Sequence, residues 1–584
     1  MSKLNIDQQT IFQLFSDKKS DFRIPDYQRP YAWEEKECQQ LWDDIFEFAF
    51  PGEDYSQFDD DNDEYFLGPI VTFKNSDGKQ EIIDGQQRLT TLMLLLRAFH
   101  TRFLNMQDTN SVQTRDSMAK CIWKTDPFGT LKKEELKIES EVSTDEDREE
   151  FLTILKTGIA DKTYKSRYAS IYRFFEDRIN DFINKYPTYS AYLPARIMNN
   201  CILLPIEAES QDTALRIFST LNDRGKPLSD SDIFKAQFYN YFSEQGRKDE
   251  FIRRWKDLEM KCEERLTSQQ GSPMDDLFTR YMYYIRAKQG IRHTTTEALR
   301  KFYEKDKYSL LKSEQTLEDL EALAEFWNDI KCQNEEVFST DVLRKLFIIN
   351  YGPNSMWEYL TSVYFMANKD KKGRLDQERF LEFLDISNAF ILAYSFERPG
   401  VNALRTPLYP EMINIVQGKQ VEFLEHKFDG DTIYDEIEDY IFANQRPITR
   451  SILTWWTFKN KKQPIYKLDE KLEIEHIYAK KRQENEKGLK EEWTLEALGN
   501  KALLEKRINI RAADYRFEDK KKYYTGFTTD SGVVKEGTKN RELLEMAKKK
   551  EDFKESDIID REDKIFEEFV NYLDEMNLLK NSND

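Results

Sequence analysis

Between Leu472 and Lys520 the sequence leaves a folding chain few choices. Leu472-Glu473-Ile474-Glu475 alternates apolar and acidic side chains, the two-residue period of a half-buried strand, which places Glu475-His476 at its exposed end. Leu498-Gly499-Asn500-Lys501-Ala502-Leu503-Leu504 reads as a short second strand. Asn509 to Phe517 reads as a helix that runs on to Lys520 and Tyr523-Tyr524. A carboxylate beside a histidine, followed by two asparagines, is the equipment for hydrolysing a phosphodiester with one metal ion. His476 can take a proton from water near neutral pH, because an unperturbed imidazole titrates at about 6.5. Glu475 and Asn509 offer oxygen ligands to a hard divalent cation, Mg2+ or Mn2+. Asn500 is expected to hold the imidazole in the tautomer that leaves one ring nitrogen free. The chain has 4 histidines, and only His476 has this neighbourhood.

Taken singly these features mean little: an isolated Glu-His pair is most often a solvated helix face, and a lone Gly-Asn a turn. The ordered set, closed by Phe517-x-x-Lys520, outweighs that reading. Basic clusters flank it at Lys459, Lys461 and Lys462, at Lys480-Lys481-Arg482 and at Lys520-Lys521-Lys522, so Lys480, Lys481 and Lys520 are expected to contact DNA phosphates. Strand, strand and helix around one metal is the frame of the HNH (ββα-metal) nucleases. The segment resembles the C-terminal nuclease domain of the bacterial GmrSD family, whose signature is Glu-His-Ile, Gly-Asn with leucines, Asn, then Phe-x-x-Lys. One departure is visible: the family usually has proline two residues after the isoleucine, and Ala479 stands there.

A second set of motifs lies near the N-terminus. Pro69-Ile70-Val71-Thr72-Phe73 reads as a strand, Asn75-Ser76-Asp77-Gly78 as a hairpin turn and Gln80-Glu81-Ile82-Ile83 as the return strand. Asp84-Gly85 then turns the chain into a helix that begins near Gln86-Gln87-Arg88 and is too apolar through Ala98 to be anything but buried. A tight Gly turn into a helix aims free backbone N–H groups at one point, which suits a phosphate. Arg88 in the first turn opposes the helix dipole, and a bound anion would explain it. With Tyr27-Gln28-Arg29 upstream and Asn222-Asp223-Arg224-Gly225 downstream, these residues resemble the GmrS-type domain, which is related to ParB and sulfiredoxin and binds nucleoside triphosphates. That resemblance implies that Asp84, Gly85, Gln86, Gln87 and Arg88 line the nucleotide phosphates, that Tyr27, Gln28 and Arg29 face the same cleft, and that Asn222, Arg224 and Gly225 close it. Independently, Ser229 is suited to cap the next helix and Tyr31 and Trp33 to core packing.

At 584 residues, with 39% hydrophobic and 34% charged side chains and only 20 Gly and 16 Pro, the chain is expected to be a helix-rich α+β protein of several domains. The expected division is a ParB-related α/β nucleotide-binding domain over 1–240, a helical connector over 241–430 and the HNH domain over 431–584. Asn5-Ile6 to Ser16 reads as a short leading helix. A net charge of −20 argues against a generally sticky nucleic-acid binder but not against local DNA contact. The 5 cysteines have neither zinc-ligand nor disulfide spacing and are expected to be buried, reduced thiols. No signal sequence or membrane span is evident, which points to the cytoplasm. Together the resemblances imply an NTP-regulated, metal-dependent DNA endonuclease of anti-phage defence, cutting modified phage DNA in the type IV manner, with a homo-oligomer left open. Two alternatives keep the same residues: a phosphorothioate-linked defence protein that nicks DNA, and a nucleotide-sensing regulatory module with a vestigial nuclease. A nuclease acting on single strands or RNA would carry the same chemistry.

Overall fold

The computed structural model describes residues 5–6, 8–50, 64–75, 77–142, 147–210, 213–214, 217, 229–265, 272–293, 295–398, 400, 402–513 and 516–580. They divide into two compact units, 1–257 and 258–584.

The first unit is built on a mixed seven-stranded sheet. Its strands are β1 (Asn5–Ile6), β2 (Gln9–Thr10), β3 (Phe22–Ile24), β4 (Tyr65–Lys74), β5 (Gln80–Asp84), β6 (Ile138–Ser140) and β7 (Cys201–Ala208). They are ordered β1-β7-β4-β5-β3-β6, with β2 also on β7. The expected β4–β5 hairpin forms because the Asn75 side-chain oxygen accepts from the backbone N–H groups of Asp77 and Lys79, both at 3.0 Å, while Gly78 adopts φ +79°. The segment expected as one leading helix is two short strands and a helix, Ile11–Ser16, started by a Thr10–Gln13 capping box that ends the extended backbone there.

Helix α1 (Gln86–Arg102) is the centre of this unit. Leu89, Leu92, Met93, Leu94, Leu95 and Leu96 are all buried, because the helix is enclosed by the sheet and by the helices Thr109–Ile122 and Arg167–Lys185. Each such side chain contributes about 1.5–3 kcal/mol on leaving water. Helix α2 (Asp230–Glu244) begins at the expected cap, Ser229, whose hydroxyl accepts from Asp232 N while the Asp232 carboxylate accepts from Ser229 N.

The second unit is mostly helical, and from 258 onward the stretch read as a connector belongs to the same compact unit as the Glu-His segment, while 241–257 belongs to the first. Stacked rings knit it together, Phe326 on Phe365 at 4.2 Å and Tyr364 on Phe383 at 4.0 Å between centroids. Strands β8 (Leu472–His476) and β9 (Lys501–Glu505) form an antiparallel pair with Glu475 opposite Ala502 and His476 opposite Lys501. They are followed by α4 (Lys506–Ala512), α5 (Phe517–Thr525) and the long α6 (Glu555–Glu575), with α3 (Lys480–Glu486) in the connection between the strands. The single helix expected from Asn509 onward is thus two. Ala513 takes φ +42°, which a helix cannot continue through, and Asp514 and Tyr515 lie outside the described residues. The second strand starts three residues later than its apolar run, since Leu498–Asn500 is a 3-10 turn. Cys38, Cys121, Cys201 and Cys262 are buried thiols, whereas Cys332 is exposed. Among the described residues no helix is long and apolar enough to cross a membrane.

Candidate active site

The turn joining β8 to β9 is held from below by α6. Arg561 donates to the carbonyls of Leu498, Gly499 and Lys501 at 2.8–3.2 Å, and Glu562 accepts from Leu498 N at 2.7 Å. Glycine is required at 499 because a Cβ there would lie 2.0 Å from the carbonyl oxygen of Ile558 on α6. Asn500 completes the frame from inside. Its side chain accepts from Tyr478 N at 2.7 Å and donates to the carbonyls of Tyr478 and Leu495. The expectation that Asn500 sets the imidazole tautomer is therefore corrected: its amide is fully used on backbone, and it shapes the loop after His476 instead.

A cleft of about 200 Å3 opens at the end of β8, lined by Glu475, His476, Ala479, Lys480, Asn509 and Lys520 among others. Five of the expected site residues, Glu475, His476, Asn509, Lys480 and Lys520, thus lie on one cleft. Their partners differ from expectation. Glu475 is not at an exposed strand end; it is 5% exposed, and its Oε1 accepts from the Lys520 ammonium at 2.5 Å and the Tyr524 hydroxyl at 3.0 Å. Lys520, expected on a DNA-facing rim, is 1% exposed and also donates to the carbonyl of His476 at 2.7 Å. It is an internal strut, fixed there because it is the cation that balances a buried carboxylate. Lys480 is exposed and pairs with Glu496, and Lys481 is exposed. Of the other basic clusters, Lys459 pairs with Glu568 and Arg482 makes a bidentate pair with Asp552.

His476 meets one carboxylate: Nε2 lies 3.3 Å from Glu496 Oε2. Burial pulls the imidazole down to about 4; Glu496 opposes that shift, while Lys501 and Lys480 add to it. Burial works to raise the Glu496 carboxyl, but Lys480 and Lys501 more than cancel it and hold it at about 2. At neutral pH the cleft therefore offers a neutral imidazole able to accept a proton, beside an ionised carboxylate and two ammonium groups. Glu496 was not singled out from sequence; its position just before Leu498-Gly499-Asn500 was the available signal.

The donor set was expected to hold a divalent metal. Asn509 lines the cleft, but its amide donates to Glu473 at 2.8 Å, and Glu475 is engaged by Lys520. Among the described residues no three His, Cys, Asp or Glu side chains converge to hold a metal ion. As arranged, these side chains do not fit a cation bound through Glu475, because an ammonium group already balances that carboxylate.

At the N-terminal motif, Gly85 takes φ +92° and caps α1 without any side-chain help. Asp84, Arg88 and Arg29 gather there. Burial raises the Asp84 carboxyl, against Arg88 and Arg29, and burial lowers Arg88, against Asp84. The Arg88 guanidinium donates to the Pro69 carbonyl at 2.9 Å and lies over Gly68, where a Cβ would come within 3.0 Å of it. A carboxylate and a carbonyl thus already account for a cation in the first helical turn. Gln87 accepts from Ala32 N at 2.6 Å and donates to Pro30 O at 3.3 Å, bracing the backbone at Pro30 and Ala32. Tyr27 packs in a small apolar cluster with Val71, Ile83 and Ala236, and Gln28 lies 3.4–3.5 Å from the carbonyls of Ile82 and Ile83. Gln86 differs: it is buried, and neither atom of its amide has a hydrogen-bond partner among the described residues. It borders a cavity of about 10 Å3 with Arg29, Tyr31 and Ser140, room for about one water molecule. Arg29, Arg88, Gln86 and the uncapped helix start are donors of the kind a phosphate takes, although that cavity is far smaller than a nucleotide. Asn222, Arg224 and Gly225 lie outside the described residues.

Comparison with known families finds two matches. Residues 11–239 match the model described as the GmrSD restriction endonuclease N-terminal domain, and residues 429–568 the model described as the GmrSD restriction endonucleases C-terminal domain. No curated protein matches the chain.

Proposed function

Because the chain belongs to the GmrSD restriction endonuclease family, we propose that it is an HNH-type endonuclease that restricts modified foreign DNA under the control of a nucleoside triphosphate, with His476 as general base. One juxtaposition supports this above all: a neutral imidazole at the mouth of a 200 Å3 cleft, with Lys480 at its edge. In the step proposed, His476 takes a proton from water, the water oxygen bonds to phosphorus, and the bond from phosphorus to the sugar oxygen breaks. That oxygen then takes a proton from solvent. Lys480 and Lys481, both exposed, are the nearby cations for the flanking phosphates.

Mg2+ or Mn2+ is the cofactor implied by the family resemblance. Glu475 is already balanced by Lys520, and chelation with EDTA decides whether cutting depends on the ion. The nucleotide is proposed at Asp84–Arg88 with Arg29, where it would supply the negative charge that the uncapped start of α1 favours. A nuclease that must stay silent until foreign DNA arrives needs a two-state control, and nucleotide turnover provides one. The test incubates the full chain with phage DNA, with and without base modification, with and without nucleotide, and with Mg2+ or EDTA. Cutting that requires modification and responds to nucleotide is expected. Equal cutting of every DNA irrespective of nucleotide rejects the regulated, modification-dependent activity.

A further inference from the structure

We propose that Glu496 is a positioning residue for His476: its carboxylate accepts the Nε2 proton, fixes the ring, and leaves Nδ1 as the lone pair that receives the proton of the attacking water. This rests on His476 being the general base of the proposed nuclease.

The assignment follows from which atoms can donate. Glu496 Oε2 lies 3.3 Å from His476 Nε2 and 2.9 Å from the Lys501 ammonium, and Oε1 pairs with Lys480. An ionised carboxylate can only accept hydrogen bonds, so the proton shared with the imidazole belongs to Nε2, and Nδ1 is bare in the neutral ring. Glu496 is itself held from two sides although its side chain is 45% exposed. Lys501 is fully buried on β9 directly opposite His476, and Lys480 starts α3. The backbone on either side of Glu496 is pinned as well, Leu495 by Asn500 and Leu498 by Glu562. The framework around Leu498-Gly499-Asn500 thus delivers one carboxylate to one imidazole.

The charges suit this role. When His476 takes a proton from water it becomes a cation, and the adjacent carboxylate stabilises it, the part an aspartate plays beside the histidine of a serine-protease triad. An unbalanced carboxylate would repel the DNA phosphate, but two ammonium groups beside Glu496 cancel its field. The competing role is a plug, in which Glu496 occupies the place of a phosphate and must be expelled before DNA binds. The two roles predict opposite signs on removal.

The experiment uses the full chain with phage DNA, nucleotide and Mg2+, comparing wild type, His476→Ala, Glu496→Gln and Glu496→Ala. Glu496→Gln keeps shape but allows the ring to reverse its tautomer. It is expected to lower kcat by about 10- to 100-fold, the usual scale for removing a hydrogen-bonding partner behind an active group, with KM for DNA unchanged or lower. Nitrogen-15 NMR of histidine-labelled wild type, with the His476 signals assigned by their loss in His476→Ala, is expected to show the proton on Nε2. In Glu496→Gln both tautomers are expected. Wild-type kcat in Glu496→Gln, faster cutting in Glu496→Ala, or a proton on Nδ1 in the wild type overturns the assignment. If His476→Ala is inactive while Glu496→Gln is normal, only the role of Glu496 falls. If His476→Ala still cuts, the nuclease assignment of His476 falls with it.

Discussion

At the end of β8 the polar side chains of a motif face a cleft of about 200 Å3, whereas just past the end of β5 Gln86 and Gln87, with Arg29, border a space of about 10 Å3. Both motifs put charged groups where a strand stops, and both bury part of them. The difference lies in what each buried group is paired with. In the C-terminal motif Lys520 and Tyr524 occupy Glu475, and backbone occupies Asn500, so His476 is the group left facing the opening. In the N-terminal motif Gln87 is occupied by Ala32 and Pro30, Arg88 gives one of its N–H donors to Pro69, and the unsatisfied group, Gln86, borders a space far smaller than a nucleotide. A motif therefore mixes residues that do chemistry with residues that hold them, and partner counts, not motif membership, separate the two.

The sharpest way to break this division is at His476. His476→Ala should reduce DNA cleavage by about 10^2- to 10^4-fold, the range supplied by a general base, with melting temperature nearly unchanged. The acid limb of kcat/KM in the wild type gives a second check. The base works only when neutral, and burial lowers its pKa to about 4, so activity should persist as pH falls through 6 and be lost only as pH approaches 4. A limb at an ordinary histidine value of about 6.5 would place the base in a wetter setting than the cleft described above.

Lys520 should behave in the opposite way. Lys520→Ala leaves Glu475 buried without its ammonium partner and should cost about 3–5 kcal/mol of stability, read by urea unfolding. If Lys520→Ala instead keeps its stability and loses DNA affinity, Lys520 is the phosphate contact that its sequence position suggested.

The local elements of both motifs were legible in the sequence. Asn75 and Gly78 specify the hairpin, the apolar run after Gln86 specifies a buried helix, and the alternation at Leu472–Glu475 specifies the strand, since each depends on neighbours a few residues away. What was not legible depends on distant residues. Nothing near Lys520 indicates that its ammonium turns inward to a carboxylate 45 residues earlier. Nothing near Gly499 indicates that Ile558 approaches from α6. Glu496 had no motif to mark it, because its role arises from Lys480, Lys501 and His476 meeting around it. Sequence thus located the cleft and missed the pairing inside it.

Arg88 and Gln87 divide the N-terminal motif in the same manner. Arg88→Ala should weaken nucleotide affinity by about 10-fold or more, because a charged hydrogen bond is worth about 1.5–3 kcal/mol. Gln87→Ala should leave that affinity in place while lowering stability by about 1–3 kcal/mol, the cost of unsatisfied buried groups at Ala32 and Pro30. Calorimetry with a nucleoside triphosphate and thermal unfolding measure the two. Unchanged affinity in Arg88→Ala would make the whole motif a brace, held by Asp84 and Pro69 alone.

The smallest effect is expected at Ala479, where the chain departs from the proline usual in the family it resembles. Ala479 caps α3 with φ −70° and ψ 142°, close to the angle a proline ring imposes, so the loop already has the shape that proline would fix. Its N–H donates to no backbone carbonyl among the described residues. Ala479→Pro should therefore stabilise the protein by about 0.4–1 kcal/mol, chiefly by restricting the unfolded chain. Cleavage should not change, since the carbonyl of Ala479 still accepts from Gln483 and no polar side chain of the cleft is altered. A loss of stability instead would show that Tyr478, clamped on both sides of its backbone by Asn500, cannot take the extended angles that a following proline demands. In that case the alanine is the residue that lets Asn500 hold the loop, and the departure from the family pattern is part of how this chain fixes His476.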